Sequence, residues 1–376
     1  MIRPFIVLGT RPEAVKLAPL IRHCLERSDD FDPIVCSTGQ HREMLEQVLG
    51  YFEIRPDVDL RLMKHGQTLA ELTASCMQAV TDALIRAKPD CVVVQGDTTT
   101  VMTASVAAFY QKIPVVHVEA GLRTGDLWAP WPEEFNRRVA AIVTQLHCAP
   151  TEGAANALRR EGIDESKIRV TGNTVIDALM WAVGRERANS ETWSQKYPFA
   201  MADDVVLITG HRRENFGQGL ADMCDAIAEL SDRHPQAQFI YPVHLNPNVK
   251  GPVHQRLDGH DNIHLVAPAD YREFVWLMDR ARVVLTDSGG VQEEAPSLGC
   301  DVFVTREKTE RPEAVDAGLA HLVGTDRQKI VDSVSQSLQS GRAAGGSTDA
   351  ANIRDNPYGD GTSSVQIADW MAEVFS

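Results

Sequence analysis

Three carboxylates stand where the residue pattern puts the ends of strands and the start of a helix. Asp97 follows the apolar run Cys91-Val92-Val93-Val94 through Gln95-Gly96, and Glu119 follows Val115-Val116-His117-Val118. Both are expected at the carboxyl ends of parallel strands, the edge at which open α/β sheets bind ligands. The pair Glu133-Glu134 comes after Pro130-Trp131-Pro132, where a helix begins, close enough in sequence to Glu119 to fold back beside it. Carboxylates gathered this way can divide the roles of general acid and general base, because crowding pushes one pKa upward while another stays ionised. Taken singly, each has a plainer use. Asp97 can cap the helix that starts over Thr98 to Thr100, and acidic residues favour any helix N-terminus.

A second group of residues suits an anion. Arg11-Pro12-Glu13-Ala14-Val15 recurs as Arg311-Pro312-Glu313-Ala314-Val315, with unmatched flanks that exclude a repeat protein. Each copy has Pro where a helix starts, and Thr10 with Glu13 also fits a capping box. The arginines, with Lys16 one turn into the first helix, are either diphosphate ligands or solvated helix caps. Asp287-Ser288-Gly289-Gly290 closes a strand and opens a helix, and glycines there let backbone N–H groups approach an anion. Glu293 or Glu294, further into that helix, could accept hydrogen bonds from sugar hydroxyls. His211-Arg212-Arg213, just past the strand Val205 to Thr209, suits a leaving phosphate, and His244 holds the equivalent place after the next strand. No HExxH or paired-cysteine spacing points to a metal. Gly217-x-Gly219-x-x-Asp222 has the wrong third residue for a nicotinamide fingerprint and follows a charged loop, so neither metal nor NAD is implied.

Positioning such groups takes a substantial scaffold, and the chain has one. Its 376 residues, 43% hydrophobic and 24% charged, suffice for two domains with their own cores. Lys+Arg number 37 against 52 Asp+Glu, a net charge of −15, which argues against a nucleic-acid partner. The 7 cysteines are scattered and odd in number, so they are expected reduced and mostly buried. No apolar run approaches the roughly 20 residues of a membrane span. The chain opens on a strand-like run rather than a signal peptide, so a soluble cytoplasmic protein is expected.

Short apolar runs alternate with helix-period segments, as in βα units around parallel sheets. In the first half the strands are Phe5 to Leu8, Pro33 to Ser37, Cys91 to Gln95, Val115 to Val118 and Leu146 to Ala149, with helices starting near Pro12, His41, Thr68, Thr98, Glu133 and Thr151. In the second they are Val205 to Thr209, Gln238 to Tyr241, Ile263 to Val266, Val283 to Thr286, Val302 to Val304 and Ala320 to Val323, with helices near Gly219, Asp270, Gly290, Arg311 and Asp326. Residues 170–184 read as helical. The domains are set at 1–172 and 173–362. Ser340 to Gly361 reads as a linker, and the helix 363–376 is a candidate to pack back on the first domain.

Gly9-Thr10-Arg11-Pro12-Glu13-Ala14-Val15-Lys16, Gln40-His41-Arg42, Gln95-Gly96-Asp97-Thr98-Thr99, His117-Val118-Glu119-Ala120-Gly121-Leu122-Arg123, Pro132-Glu133-Glu134, His211-Arg212-Arg213-Glu214-Asn215, Asp287-Ser288-Gly289-Gly290-Val291-Gln292-Glu293-Glu294 and Thr309-Glu310-Arg311-Pro312-Glu313 occur in this order. Together they resemble the non-hydrolysing UDP-N-acetylglucosamine 2-epimerases, from Leu8 to about Gly361. The resemblance implies an α/β fold of two Rossmann-like domains facing a central cleft (GT-B type), with parallel sheets flanked by helices. It also implies reversible interconversion of UDP-GlcNAc and UDP-ManNAc, no cofactor, and a homodimer. By the same likeness Asp97, Glu119, Glu133 and His211 occupy active-site positions. Arg11, Lys16, Ser288, Gly289, Glu294 and Arg311 form the nucleotide-binding set, with Glu294 on the ribose. Many members have Gln where this chain has Ala269, which leaves uracil to the backbone or to a neighbour such as Phe274. Bacterial members often bind a second UDP-GlcNAc as activator, at positions that correspond to Gln40, Glu43, Glu134, Arg212 and His244. An Arg expected near Gln67 is Gly66.

Inverting C2 of a UDP-sugar requires transient oxidation, which needs a nicotinamide, or elimination of UDP across C1–C2 and re-addition through a 2-acetamidoglucal. Without a nicotinamide fingerprint, elimination is the expected route. It calls for a carboxylate base near C2, an acid for the opposite face and cations for the departing diphosphate. Which carboxylate serves which face stays open. A glycosyltransferase of the same fold, a hydrolysing epimerase releasing ManNAc and UDP, and a non-catalytic UDP-sugar sensor are the alternatives.

Overall fold

The structure, a computed structural model, describes residues 1–39, 42–64, 66–340 and 356–376, the side chains of 42–44 excepted. Gln40, the helix start expected at His41, and most of the expected linker (341–355) lie outside the described residues. Contacts divide the chain into two compact units, Met1–Ala178 with Tyr358–Ser376, and Leu179–Pro357.

The first unit has a seven-stranded sheet made of β1 (Pro4–Leu8), β2 (Ile34–Ser37), β3 (Val58–Asp59), β4 (Cys91–Gln95), β5 (Val115–Val118), β6 (Thr144–Ala149) and β7 (Ile168–Val170). All neighbours are parallel, in the order β3-β2-β1-β4-β5-β6-β7. Every residue of β1, β4 and β5 is buried, as expected of strands covered by helices on both faces. Those helices are α1 (Arg11–Glu26), α2 (Arg42–Tyr51), α3 (Leu69–Ala87), α4 (Thr99–Tyr110), α5 (Glu133–Val143), α6 (Glu152–Arg160) and α7 (Thr174–Ala188). Phe5, Val7, Val92 and Val94 of the sheet pack with Val101, Ala104 and Ala108 of α4, whose small side chains let it lie close. The strand order reverses between β1 and β4, so the loops after these strands meet at a topological switch point.

The second unit repeats the plan with β8 (Val205–Thr209), β9 (Gln238–Pro242), β10 (Ile263–Val266), β11 (Val283–Thr286), β12 (Asp301–Val304) and β13 (Ala320–Leu322), parallel in the order β10-β9-β8-β11-β12-β13. Its helices are α8 (Ser190–Lys196), α9 (Gln218–Arg233), α10 (Pro247–Leu257), α11 (Tyr271–Arg280), α12 (Gly289–Glu294), α13 (Pro312–Asp316) and α14 (Arg327–Gln339). Ile208, Phe239, Tyr241 and Leu285 of the sheet bury Met223, Ile227 and Val331 of α9 and α14. Here the switch point lies between β8 and β11.

The last helix, α15 (Ser363–Phe375), belongs to the first unit and packs on α1. Arg27 donates to Asp369 at 2.5 Å, and Asp177 accepts from the backbone N–H of Ser364 at 2.7 Å. The latter bond ties the start of α7 to the first unit, so the change of unit falls inside α7 rather than ahead of it. Two α/β units with parallel sheets flanked by helices are as expected. Residues 168–170 are a strand, not part of a helix, because Gly172 at φ +81 breaks the chain before α7. Also unexpected were β3, only two residues long, and α10, whose Pro252 and Gly251 hide its period. All seven cysteines are buried and unpaired. Among the described residues no helix is long and apolar enough to cross a membrane.

Candidate active site

In the first unit the loops after β1, β4 and β5 are tied to one another by buried polar side chains. Glu13, in the first turn of α1, accepts the backbone N–H of Gly9 at 2.8 Å and of Thr10 at 2.6 Å, and the hydroxyl of Thr98 at 2.6 Å. Burial pushes its pKa up, against these hydrogen bonds. Gly9 admits no larger residue, since a Cβ there would stand 2.4 Å from the Thr38 hydroxyl oxygen. After β4 the chain turns through Gly96 at φ +79, a conformation that glycine adopts without strain. The carbonyl of Gly96 lies 2.7 Å from His117 Nε2. His117 is buried on β5, which pushes its pKa down to about 4, so the ring is neutral and donates from Nε2.

That turn delivers Asp97, whose Oδ2 accepts from Arg137 at 2.7 Å while its carbonyl accepts from Asn136 at 3.0 Å. Burial raises the pKa of Asp97; Arg137 opposes the rise, whereas Glu119 and Glu133 add to it. Asp97 therefore senses both Glu119 and Glu133. Glu119 has a left-handed backbone at φ +63, which costs a non-glycine residue of order 1–3 kcal/mol and is found mainly at functional sites. Its carboxylate accepts from Lys16 at 2.5 Å, from Asn173 at 3.0 Å and from Gln95. Glu133 is half-buried at the start of α5. Its neighbour Glu134 is fully buried and takes the backbone N–H groups of Thr124 at 3.0 Å and Gly125 at 3.4 Å, with Arg138 at 3.0 Å and Arg137 at 3.6 Å. Burial alone would raise its pKa, but these donors together hold it below the usual range.

The second unit gathers its polar groups at its own switch point. Asp287, fully buried after β11, holds the His211 loop that follows β8. His211 and His244 stack with ring centroids 5.7 Å apart. Ser288 is the N-cap of α12, and its carbonyl accepts from Gln292 at 3.0 Å. Gln292 in turn accepts from the Thr309 hydroxyl at 2.5 Å, and Thr309 receives the Arg311 backbone N–H at 3.0 Å. The Arg311 guanidinium pairs with the buried carboxylate of Glu293. Gly289 opens α12 and Glu294, also buried, closes it. Among the described residues no group of three or more His, Cys, Asp or Glu side chains could hold a metal ion.

A sequence profile described as UDP-N-acetylglucosamine 2-epimerase matches residues 23–372. The UDP-N-acetylglucosamine 2-epimerase of Yersinia pestis is 52% identical over 368 residues, 96% of each chain. The chain belongs to the UDP-N-acetylglucosamine 2-epimerase family. The Escherichia coli K12 member is 50% identical over 365 residues, again 96% of each chain. Among solved structures, the epimerase of Neisseria meningitidis bound to UDP-GlcNAc is 47% identical, with a TM-score of 0.85 over 99% of this chain and 100% of that one. The Methanocaldococcus jannaschii epimerase in complex with UDP-GlcNAc and UDP is 34% identical, with a TM-score of 0.77 over 99% of each chain.

Of the site residues expected in this epimerase chain, Asp97, Glu119, Glu133, Arg11 and Lys16 lie in the first unit, at the loops after β1, β4 and β5 or on the helices α1 and α5. Lys16 faces Glu119 directly. His211, Ser288, Gly289 and Glu294 lie in the second unit after β8 and β11, Arg311 lies between β12 and α13, and Phe274 is half-buried on α11. Of the activator positions, Gln40 and the Glu43 side chain lie outside what is described; Glu134 is in the first unit, Arg212 and His244 in the second. Arg137, Asn173, Gln95 and Asp287 were not expected as site residues. Arg137 stands four residues after Glu133, a helical spacing that could have marked it. Asn173 follows β7, which was not recognised as a strand.

Proposed function

We propose that the protein interconverts UDP-N-acetylglucosamine and UDP-N-acetylmannosamine by eliminating and re-adding UDP. A base takes the C2 proton, the C2–H electron pair becomes the C1–C2 double bond, and the C1–O bond breaks so that UDP departs with its electron pair. UDP then adds back to the bound 2-acetamidoglucal as a proton reaches C2 from the opposite face. The observation that carries this reading is the placement of Asp97 within the influence of Glu119 and Glu133, in a chain of the epimerase family. Their surroundings differ, which supports separate acid and base roles. Burial raises the pKa of Asp97, whereas Glu119 accepts three hydrogen bonds, as an ionised carboxylate does. His211, Arg11 and Arg311 are assigned to the departing diphosphate, Ser288 and Gly289 to its oxygens, Glu294 to the ribose and Phe274 to the uracil.

The same reading carries a cytoplasmic homodimer that needs neither nicotinamide nor metal. The apolar side chains of Phe109, Tyr110 and Ile142, exposed side by side, support a subunit contact. The test is incubation of UDP-GlcNAc with the purified protein alone in D2O. NMR should find UDP-ManNAc, and mass spectrometry should find deuterium at C2 of both epimers. Free ManNAc with UDP would indicate a hydrolysing enzyme, a requirement for an acceptor would indicate a transferase, and epimerisation without deuterium would refute elimination. Asp97→Asn, Glu119→Gln and Glu133→Gln should each lower turnover by roughly 10²- to 10⁴-fold, with at least one releasing UDP and 2-acetamidoglucal.

A further inference from the structure

The loops after β8 and β11 meet at the switch point of the second unit, and one buried carboxylate joins them. Asp287 is fully buried, and its Oδ2 accepts the backbone N–H of His211 at 2.8 Å and of Arg212 at 2.7 Å. Its Oδ1 makes no hydrogen bond among the described residues, and His211 Nδ1 stands 3.4 Å from it. A buried carboxylate oxygen without a partner is costly, so the imidazole beside it is the group placed to satisfy it. On the far side of the loop, buried Tyr241 donates its hydroxyl to the Gly210 carbonyl at 3.0 Å. The loop is thus held on both sides of His211. The ring stacked on it is His244, whose Nδ1 accepts from the Asn246 backbone at 3.1 Å and whose own proton is therefore on Nε2.

We propose that Asp287 is a positioning residue that holds His211 in the Nδ1–H tautomer. His211 is 44% exposed, so Nε2 is left as the nitrogen that meets a ligand. This rests on the assignment of His211 to the departing diphosphate. Under that assignment the imidazolium offers Nε2–H to a phosphate oxygen, with the carboxylate of Asp287 balancing its charge.

Asp287→Asn tests this. The amide keeps an oxygen for the two backbone N–H groups but turns an N–H toward His211 Nδ1, which favours the opposite tautomer and removes the charge. In ¹⁵N-histidine-labelled protein, with His211 assigned by the loss of its signal in His211→Gln, the wild-type neutral ring should carry its proton on Nδ1. In Asp287→Asn the proton should move to Nε2. With UDP-GlcNAc, kcat should fall by about 10²-fold with little change in KM. A wild-type ring already protonated on Nε2, or the same tautomer in the two proteins, overturns the proposal whether or not the protein epimerises its substrate. The wild-type spectrum alone decides if Asp287→Asn does not fold. Tautomer control by Asp287 without any turnover of UDP-GlcNAc would strike the proposed function and leave this inference standing.

Discussion

Arg137→Met should shift the protonation of Asp97 upward and weaken the fold mainly at neutral pH. Arg137 is 9% exposed and donates to Asp97 at 2.7 Å, and Asp97 itself is 27% exposed. With charge centres ~4 Å apart and an effective dielectric constant of ~20, such a pair is worth about 4 kcal/mol. Solvent screening at the exposed part of the carboxylate leaves about half of that, ~2 kcal/mol. Losing it raises the Asp97 pKa further. Whichever limb of the kcat/KM profile reports Asp97 should therefore move to higher pH. The stability effect follows from the same linkage. The folded pKa of Asp97 already lies above its unfolded value, so its contribution is fully present below the unfolded pKa and is lost as pH rises through the folded one. Removing Arg137 raises the folded value further, so the variant should lose about 2 kcal/mol at pH 7 and progressively less as the solution is acidified. Glu134 loses a partner at 3.6 Å but keeps Arg138 at 3.0 Å. Paired pH–rate profiles and urea melts at two pH values provide the assay. An unmoved limb together with a pH-independent stability loss would refute the argument that Arg137 acts through the charge of Asp97.

Arg311→Ala and Arg11→Ala should each weaken UDP binding by about 2 kcal/mol in calorimetry, with Lys250→Ala unchanged as control; equal affinities would make both arginines structural caps. Glu134→Gln should cost about 2 kcal/mol of stability at neutral pH, because the buried carboxylate is held by two arginines and two backbone N–H groups. Its folded pKa lies below the unfolded value, so the stability it contributes is present above the unfolded pKa and lost as pH falls through the folded one. The gap between wild type and Glu134→Gln should therefore close on acidification, and a constant gap in denaturant melts would contradict this. If a second UDP-GlcNAc activates the enzyme, UDP-ManNAc alone should be consumed slowly until a trace of UDP-GlcNAc is added, and His244→Ala should abolish the stimulation. Lag-free reverse kinetics would remove the activator site.

The carboxylates were legible because parallel strands announce themselves as unbroken apolar runs, and the residue after such a run sits at the edge where ligands bind. Asp97 and Glu119 follow β4 and β5 at that edge. What could not be read was which groups face them. Lys16 reads as a member of the nucleotide-binding set or a solvated lysine, and the spacing gives no sign that its ammonium meets Glu119, 103 residues away in sequence. A helix period places a lysine on the right side of α1 but does not name its counter-ion. The two copies of Arg-Pro-Glu-Ala-Val make the same point within one chain. Both start a helix, as their prolines require. In the first copy Thr10 precedes the arginine and makes the capping box with Glu13, so Arg11 is the first helical residue. In the second, Glu310 stands in the place of Thr10 and no such box forms; Arg311 becomes the N-cap itself and its guanidinium turns to Glu293. Identical pentapeptides specify the helix start, but the residue before them and a carboxylate from another helix decide what each arginine meets. Site assignments made from local spacing therefore hold for the position of a group along the sheet edge, and its chemical partner is set by the tertiary fold.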